Sequence, residues 1–301
     1  MSDRVPYLRI SVLTGFPRIL EGIAADGMVR LAVESGRLEL NVVDLRLFAD
    51  DPHRSIDDYP YGGGPGMILK VEPVVRALAS LPPPLGPQRD VVLLSPQGRR
   101  LEQPQVREML EARDLVLLFG RYKGLDERVR AFVTREVSLG DFILSGGEPA
   151  AIVLIDALAR LIPGVMGDIE SAESDSFERG LLDSGYFTRP EEYRGMRVPE
   201  VLLSGHHGRV DEERRRDALR RTWRRRPELL ETAVLAGEVT GNEIEWLRAQ
   251  GWVPPSDWQP PPREKRRRRK KETGEALETR RKFAEGSGAG DPSSERDEPA
   301  V

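Results

Sequence analysis

Residues 91–98 read VVLLSPQG, and residues 115–124 read LVLLFGRYKG. In both, an unbroken apolar run passes straight into small, turn-forming residues. A strand with one wet face alternates apolar and polar side chains. A continuous apolar run belongs to a strand covered on both faces, as in a parallel sheet. Working outward, residues 7–14 (YLRISVLT) and 38–45 (LELNVVDL) read as two more strands. A helix is expected between them, from about Ile19 to Glu34. Residues 148–162 (EPAAIVLIDALARLI) read as another, with Pro149 in its first turn and Pro163-Gly164 as its stop. This alternation predicts an α/β fold with helices packed on a parallel sheet.

The chain has 301 residues, with 46 Lys plus Arg against 50 Asp plus Glu, a formal charge of −4. Zero cysteines exclude a disulfide scaffold, a Cys-ligated zinc site and a thiol nucleophile, and fit a reducing compartment. No apolar run is long enough to span a membrane. The start, MSDRVPYLRI, lacks the basic and apolar segments of a signal peptide. The expectation is a cytoplasmic protein. Since the net charge is acidic, binding of a polyanion would depend on local patches. Two stand out: residues 214–226, RRRDALRRTWRRR, and residues 263–271, REKRRRRKK.

Four domains are expected. Residues 1–163 form the α/β domain. Residues 164–197 are polar, Gly-rich and aperiodic, and read as a flexible linker. Residues 198–253 hold three short helices at about 211–223, 227–235 and 241–249, with Leu219 and Trp223 on the inward stripe of the first. Residues 254–301, with their proline clusters, basic run and GSGAGDPSSERDEPAV ending, have the composition of a disordered tail.

Residues 57–67 read DDYPYGGGPGM. This is neither a P-loop, since no Gly-Lys-Ser/Thr follows, nor a dinucleotide fingerprint, since no strand precedes it. It is either a surface loop or a site where Tyr61 stacks on a base, Asp57 and Asp58 accept from base N–H groups, and Gly64 lets the backbone approach. Three more loops follow apolar runs: SPQG at 95–98, GRYKG at 120–124 and LGDFILSGGE at 139–148. Ligands of open α/β sheets sit at the carboxyl ends of strands, so together these loops point to a nucleoside-like ligand. The adjacent His206 and His207 lack evident partner ligands, and no metal site is assigned.

DDYPYGGGPGM, LLSPQG, GRYKGLDERV, SLGDFILSGGE, LIDALARLIPGVMG, ESDSF and YFTRPEEYRG occur in this order between about residues 7 and 250. The set resembles the bacterial tRNA (guanine-N1-)-methyltransferases, which modify guanosine 37. The resemblance implies a trefoil-knotted parallel-sheet domain of the SPOUT superfamily, with a small C-terminal helical domain, acting as a homodimer on tRNA with guanosine at positions 36 and 37. It implies S-adenosyl-L-methionine held by Ser95, Pro96, Gln97, Gly120, Tyr122, Gly124, Leu139, Gly140, Asp141, Phe142, Ile143, Leu144, Gly146 and Gly147. It places Asp57, Asp58, Tyr61 and Gly64 near the target nucleotide and the C-terminal helices on the anticodon arm. It also assigns Asp175 as general base and Arg160 as the group that polarises guanine, and suggests Mg²⁺ in addition.

The chemistry asks for such groups. Guanine N1 carries a proton at neutral pH, so a base must remove it and the charge that grows on O6 must be stabilised. From spacing alone, Asp175 reads as a helix N-cap or turn acid and Arg160 as the partner of Asp156 one turn earlier, and it is the family resemblance that reverses this. Arg224 and Arg225 read either as solvated charges or as phosphate contacts. The sequence departs from the family pattern in GRYKG, where Lys123 stands in place of the usual glutamate. It departs again at Arg18 and at the proline of SGGEPAA. Two other functions fit the same loops: a SPOUT enzyme acting on ribosomal RNA or a ribose 2′-hydroxyl, and a non-catalytic RNA-binding protein.

Overall fold

The computed structural model describes residues 5–166, 175–256 and 258. Of the tail expected to be disordered, 254–301, residues 254–256 and 258 are described, with Trp258 packed against the C-terminal helices; the remainder, with the basic run at 263–271, lies outside the described residues, as does part of the linker, 167–174. The chain begins with strand β1 (Leu8–Thr14), helix α1 (Gly27–Glu34) and β2 (Leu38–Asp44). A hairpin of β3 (Asp57–Asp58) and β4 (Ile68–Leu69) precedes α2 (Val71–Ser80). Then follow β5 (Asp90–Arg100), α3 (Gln103–Glu111), β6 (Asp114–Phe119), β7 (Arg135–Ser138) and α4 (Glu148–Ala159). A second hairpin, β8 (Glu192–Tyr193) and β9 (Met196–Arg197), leads to α5 (Glu200–Leu203), α6 (His207–Arg225), α7 (Pro227–Leu235) and α8 (Gly241–Ala249).

The five long strands form one parallel sheet in the order β2-β1-β6-β5-β7. Successive side chains point to opposite faces, and both faces are dry. Ile10, Val12, Val92, Leu94, Leu115 and Leu117 pack under α1, α3 and α4. Their neighbours Leu13, Val91, Leu93, Val116 and Leu118 pack under α2 and the short 3-10 turns. That is why the strands read as unbroken apolar runs.

The first expected helix is corrected. Only Pro17–Ile19, a 3-10 turn, and Gly27–Glu34 are helical between β1 and β2. Gly27, with φ +68°, interrupts the segment, and α1 starts at it. Strand β5 also runs further than expected, through SPQG to Arg100, with a register irregularity between Leu94 and Arg99. Gly98 makes this possible, since a Cβ there would lie 2.4 Å from the Val137 backbone nitrogen.

Local signals set the helix ends. Glu102 and Gln105 form a reciprocal capping box on α3, and Thr240 and Glu243 do the same on α8. The C-terminal helices enclose their own core of Leu219, Leu230, Val234, Ile244, Leu247 and Trp252, with Trp223 and Trp246 at its margin. Leu181 joins this cluster.

The stretch read as a linker is fastened where it is described. Glu178, nearly buried, accepts from Gln103 Nε2 at 2.7 Å and Arg107 Nε at 2.6 Å. The Leu182 amide donates to Thr222 Oγ1 at 3.0 Å. The Gly185 amide donates to Asp217 at 2.8 Å, and Arg221 pairs with the same carboxylate at 2.5 Å. Burial pushes the Asp217 pKa up, but these two partners outweigh it and hold the group below its ordinary value.

Candidate active site

Beside the middle of β5, at Leu93–Gln97, and the carboxyl ends of β6 and β7 lies a cleft of about 230 Å³. It brings together Ser95, Pro96, Gln97, Gly120, Tyr122, Gly124, Leu139, Gly140, Phe142, Ile143, Leu144, Gly146 and Gly147. Asp141 is not among the lining residues. The inner wall is apolar, from Leu93, Leu94, Val137 and Ala150, while the outer rim carries Lys123, Glu127 and Arg130. Arg130 pairs with Glu127 at 2.6 Å and with Glu136, and these contacts raise its pKa.

The loops are tight because their glycines touch other backbone or ring atoms. A Cβ on Gly120 would fall 2.5 Å from the Gly124 backbone, and one on Gly147 would fall 2.2 Å from the Phe119 side chain. Tyr122 itself is left-handed, at φ +55°. Behind this turn, Asp126 caps the next 3-10 helix through the Arg128 amide, and the Arg128 guanidinium bound to it holds its pKa down at about 2.

The glycine loop adjoins the cleft. Asp57 and Asp58 pair with Leu69 and Ile68 at its base, leaving residues 59–67 as the hairpin tip. Gly62, Gly63, Gly64 and Gly66 all have positive φ, and Tyr61 is fully exposed. The Leu69 amide donates to Gly124 at 3.1 Å and the Lys123 amide donates to Met67 at 3.2 Å, so hairpin and cleft loop share a seam. Asp57 also borders a hollow of about 30 Å³ with Thr14, Phe16, Arg121 and Glu148.

Sequence reasoning missed Glu148 and Arg121. Glu148 is 1% exposed. It accepts from Thr14 Oγ1 at 2.9 Å and from Arg121 Nε and Nη2, both at 3.2 Å. The Arg121 guanidinium lies 3.8 Å over the Phe16 ring. The available signal was an acid placed between a double glycine and an apolar helix, in SGGEPAAIVL.

Arg160 and Asp175 form an ion pair with each other. Neither lines the cleft. Glu148 and Arg160 sit at opposite ends of α4, about 18 Å apart along its axis.

On α6 the arginine cluster is mostly spoken for. Arg215 pairs with Glu243, Arg216 with Glu212, Arg220 and Arg221 with Asp217, and Arg226 with Glu228. Arg214 lies 5.4 Å over the Tyr186 ring. Arg224 and Arg225 are exposed and form no ion pair among the described residues. No helix among the described residues is long and apolar enough to cross a membrane.

A parallel sheet covered on both faces, with a cleft beside β5 and the loops that follow β6 and β7, defines an α/β protein with its cleft in the region where ligands of such sheets sit. Comparison with known proteins narrows the class. Residues 8–232 match the family described as tRNA (Guanine-1)-methyltransferase TrmD. The tRNA (guanine-N(1)-)-methyltransferase of Moorella thermoacetica is 48% identical over 233 residues, 77% of this chain and 93% of the relative. Those of Stutzerimonas stutzeri and Symbiobacterium thermophilum are each 47% identical, over 80% and 76% of this chain and 97% and 94% of theirs. The chain belongs to this methyltransferase family.

Proposed function

We propose that this protein methylates N1 of guanosine 37 in tRNA. Family membership supports the reaction class, and the cleft supports the methyl donor. S-adenosylmethionine supplies a methyl group on a positively charged sulfur when bound. Its flat base matches the apolar inner wall, and its polar tail matches the charged rim. The carrying observation is that cleft, in whose loops Gly120 and Gly147 leave no room for a Cβ. The rest of the chain, by the same reading, divides into a donor-binding domain (1–163), a connecting segment (164–197) and a helical tRNA-binding domain (198–253).

Asp175 is the base. A carboxylate is able to accept the N1 proton, and Arg160 stands beside it as its ion-pair partner. Arg160 then places its guanidinium against O6 as negative charge develops there. The length of α4 between the cleft and this pair argues that one copy supplies the donor and another supplies the base, which makes the enzyme a homodimer. Exposed Phe142, Ile143 and Val153, at 56%, 81% and 54%, would be covered by that second copy. We further infer that the path is the trefoil knot of the SPOUT superfamily. β7 lies outside β5 although it follows β6, and the 95–100 segment is pressed against it at Gly98. Arg224 and Arg225 hold tRNA phosphates, and the glycine loop receives the target nucleotide.

A magnesium ion does not fit the described cleft. Among the described residues no three acidic or histidine side chains gather, and Glu127, the acid that lines the cleft, is bound to Arg130. The steps above need none.

The test is mass spectrometry of nucleosides from unmodified tRNA bearing guanosines 36 and 37, after incubation with protein and S-adenosylmethionine. 1-Methylguanosine at position 37 is expected, reduced about 10²–10⁴-fold by Asp175→Asn. Methylation of a ribose hydroxyl, or full activity in Asp175→Asn, overturns the proposal.

A further inference from the structure

We propose that Lys123 sets the specificity of the donor cleft by binding the carboxylate of the donor's amino-acid end. This rests on the reading of the cleft as the S-adenosylmethionine site. Three cations line it: Arg121, Lys123 and Arg130. Arg121 is consumed by buried Glu148, and Arg130 by Glu127, Glu136 and the Gln97 amide oxygen. Among the described residues Lys123 makes no ion pair. It is therefore the cleft's uncompensated positive charge, at the polar rim rather than the apolar inner wall.

Its position is also fixed from the backbone outward. Left-handed Tyr122 and Gly124 flank it in the turn, and its amide donates to Met67. Its stem lies over Gly66, where a Cβ would come within 3.0 Å of the Lys123 Cγ. Only the ammonium end is left to move. A ligand with an apolar purine at one end and a zwitterionic tail at the other meets Lys123 with that tail. A carboxylate there pairs with it at the solvent edge, where an ion pair changes affinity by up to about fivefold. The departure of this chain from the usual glutamate of the GRYxG turn then reverses the charge that the tail encounters.

Calorimetry with S-adenosylmethionine and decarboxylated S-adenosylmethionine tests this, because the two ligands differ only in the carboxylate. The wild-type chain should prefer the carboxylated ligand by about fivefold. Lys123→Met should bind both alike, with affinity for the decarboxylated ligand retained. Lys123→Arg should keep the preference, and Lys123→Glu should reverse it. A preference that survives in Lys123→Met, or an equal loss for both ligands, overturns the assignment. So does a raised tRNA KM in Lys123→Met with the ligand preference intact, which would make the lysine a phosphate contact. Failure of the wild-type chain to bind either ligand would instead sink the cofactor reading itself.

Discussion

Gly98→Ala is the sharpest probe of how the cleft is built. The new methyl carbon would lie 2.4, 2.5 and 2.6 Å from the Val137 N, C and Cα atoms. Non-bonded carbon prefers about 3.5–4.0 Å, so the β5 extension and β7 must separate by about 1 Å. The obstacle is backbone on both sides, and no side chain can rotate away. Overpacking costs about 1–3 kcal/mol, and the upper part of that range applies here. In a domain of this size the melting temperature should fall by about 4–12 °C. The same shift moves Ser95–Gln97 away from Leu139 and Gly140 across the cleft, so affinity for S-adenosylmethionine should drop about ten- to a hundredfold. Thermal unfolding by circular dichroism and calorimetric titration measure the two effects. Gly22→Ala is the control, because a Cβ there meets nothing within 4 Å. A Gly98→Ala protein that melts and binds like the control would refute the tight crossing of β5 and β7.

Two further outcomes are expected. Replacing Arg224 and Arg225 with alanine should raise the tRNA KM and reduce the salt dependence of binding by about one unit of slope per lost phosphate contact; an unchanged slope would leave both side chains facing solvent alone. Asp126, held near 2 by Arg128 against an ordinary 3.8, stabilises the fold fully above the unfolded value and loses that contribution as pH falls toward about 2. The melting difference between wild type and Asp126→Asn should therefore be largest near neutrality and shrink on acidification, and a difference that grows in acid would contradict the pairing.

How far the sequence could be read depended on the range of the forces involved. β1, β2, β6 and α4 were legible because each is dictated by its own residues: apolar runs covered on both faces, or a proline start and a Pro-Gly stop. The three loops of the cleft were legible for the same reason. β7 was not seen, because REVS buries only its last two residues and resembles a loop. α2 and α3 were passed over, although Glu102 and Gln105 carried a capping box. The long helix expected after β1 ignored Gly27, whose left-handed backbone breaks it. Strand order and the pressing of Gly98 onto Val137 depend on partners about forty residues away, and no local pattern records them. The same holds for Glu148. Its role became visible only when Thr14 and Arg121 were brought to it from two other strand ends.

Helix α4 carries the wall of the cleft at one end and Arg160 at the other, with a dry apolar face between them. It therefore works as a ruler. Exchanging one buried leucine for another aliphatic residue leaves its graduations in place. Adding or deleting a single residue slides Arg160 by about 1.5 Å and swings it about 100° around the axis, off its carboxylate partner. The length of this segment is thus more tightly constrained than its composition.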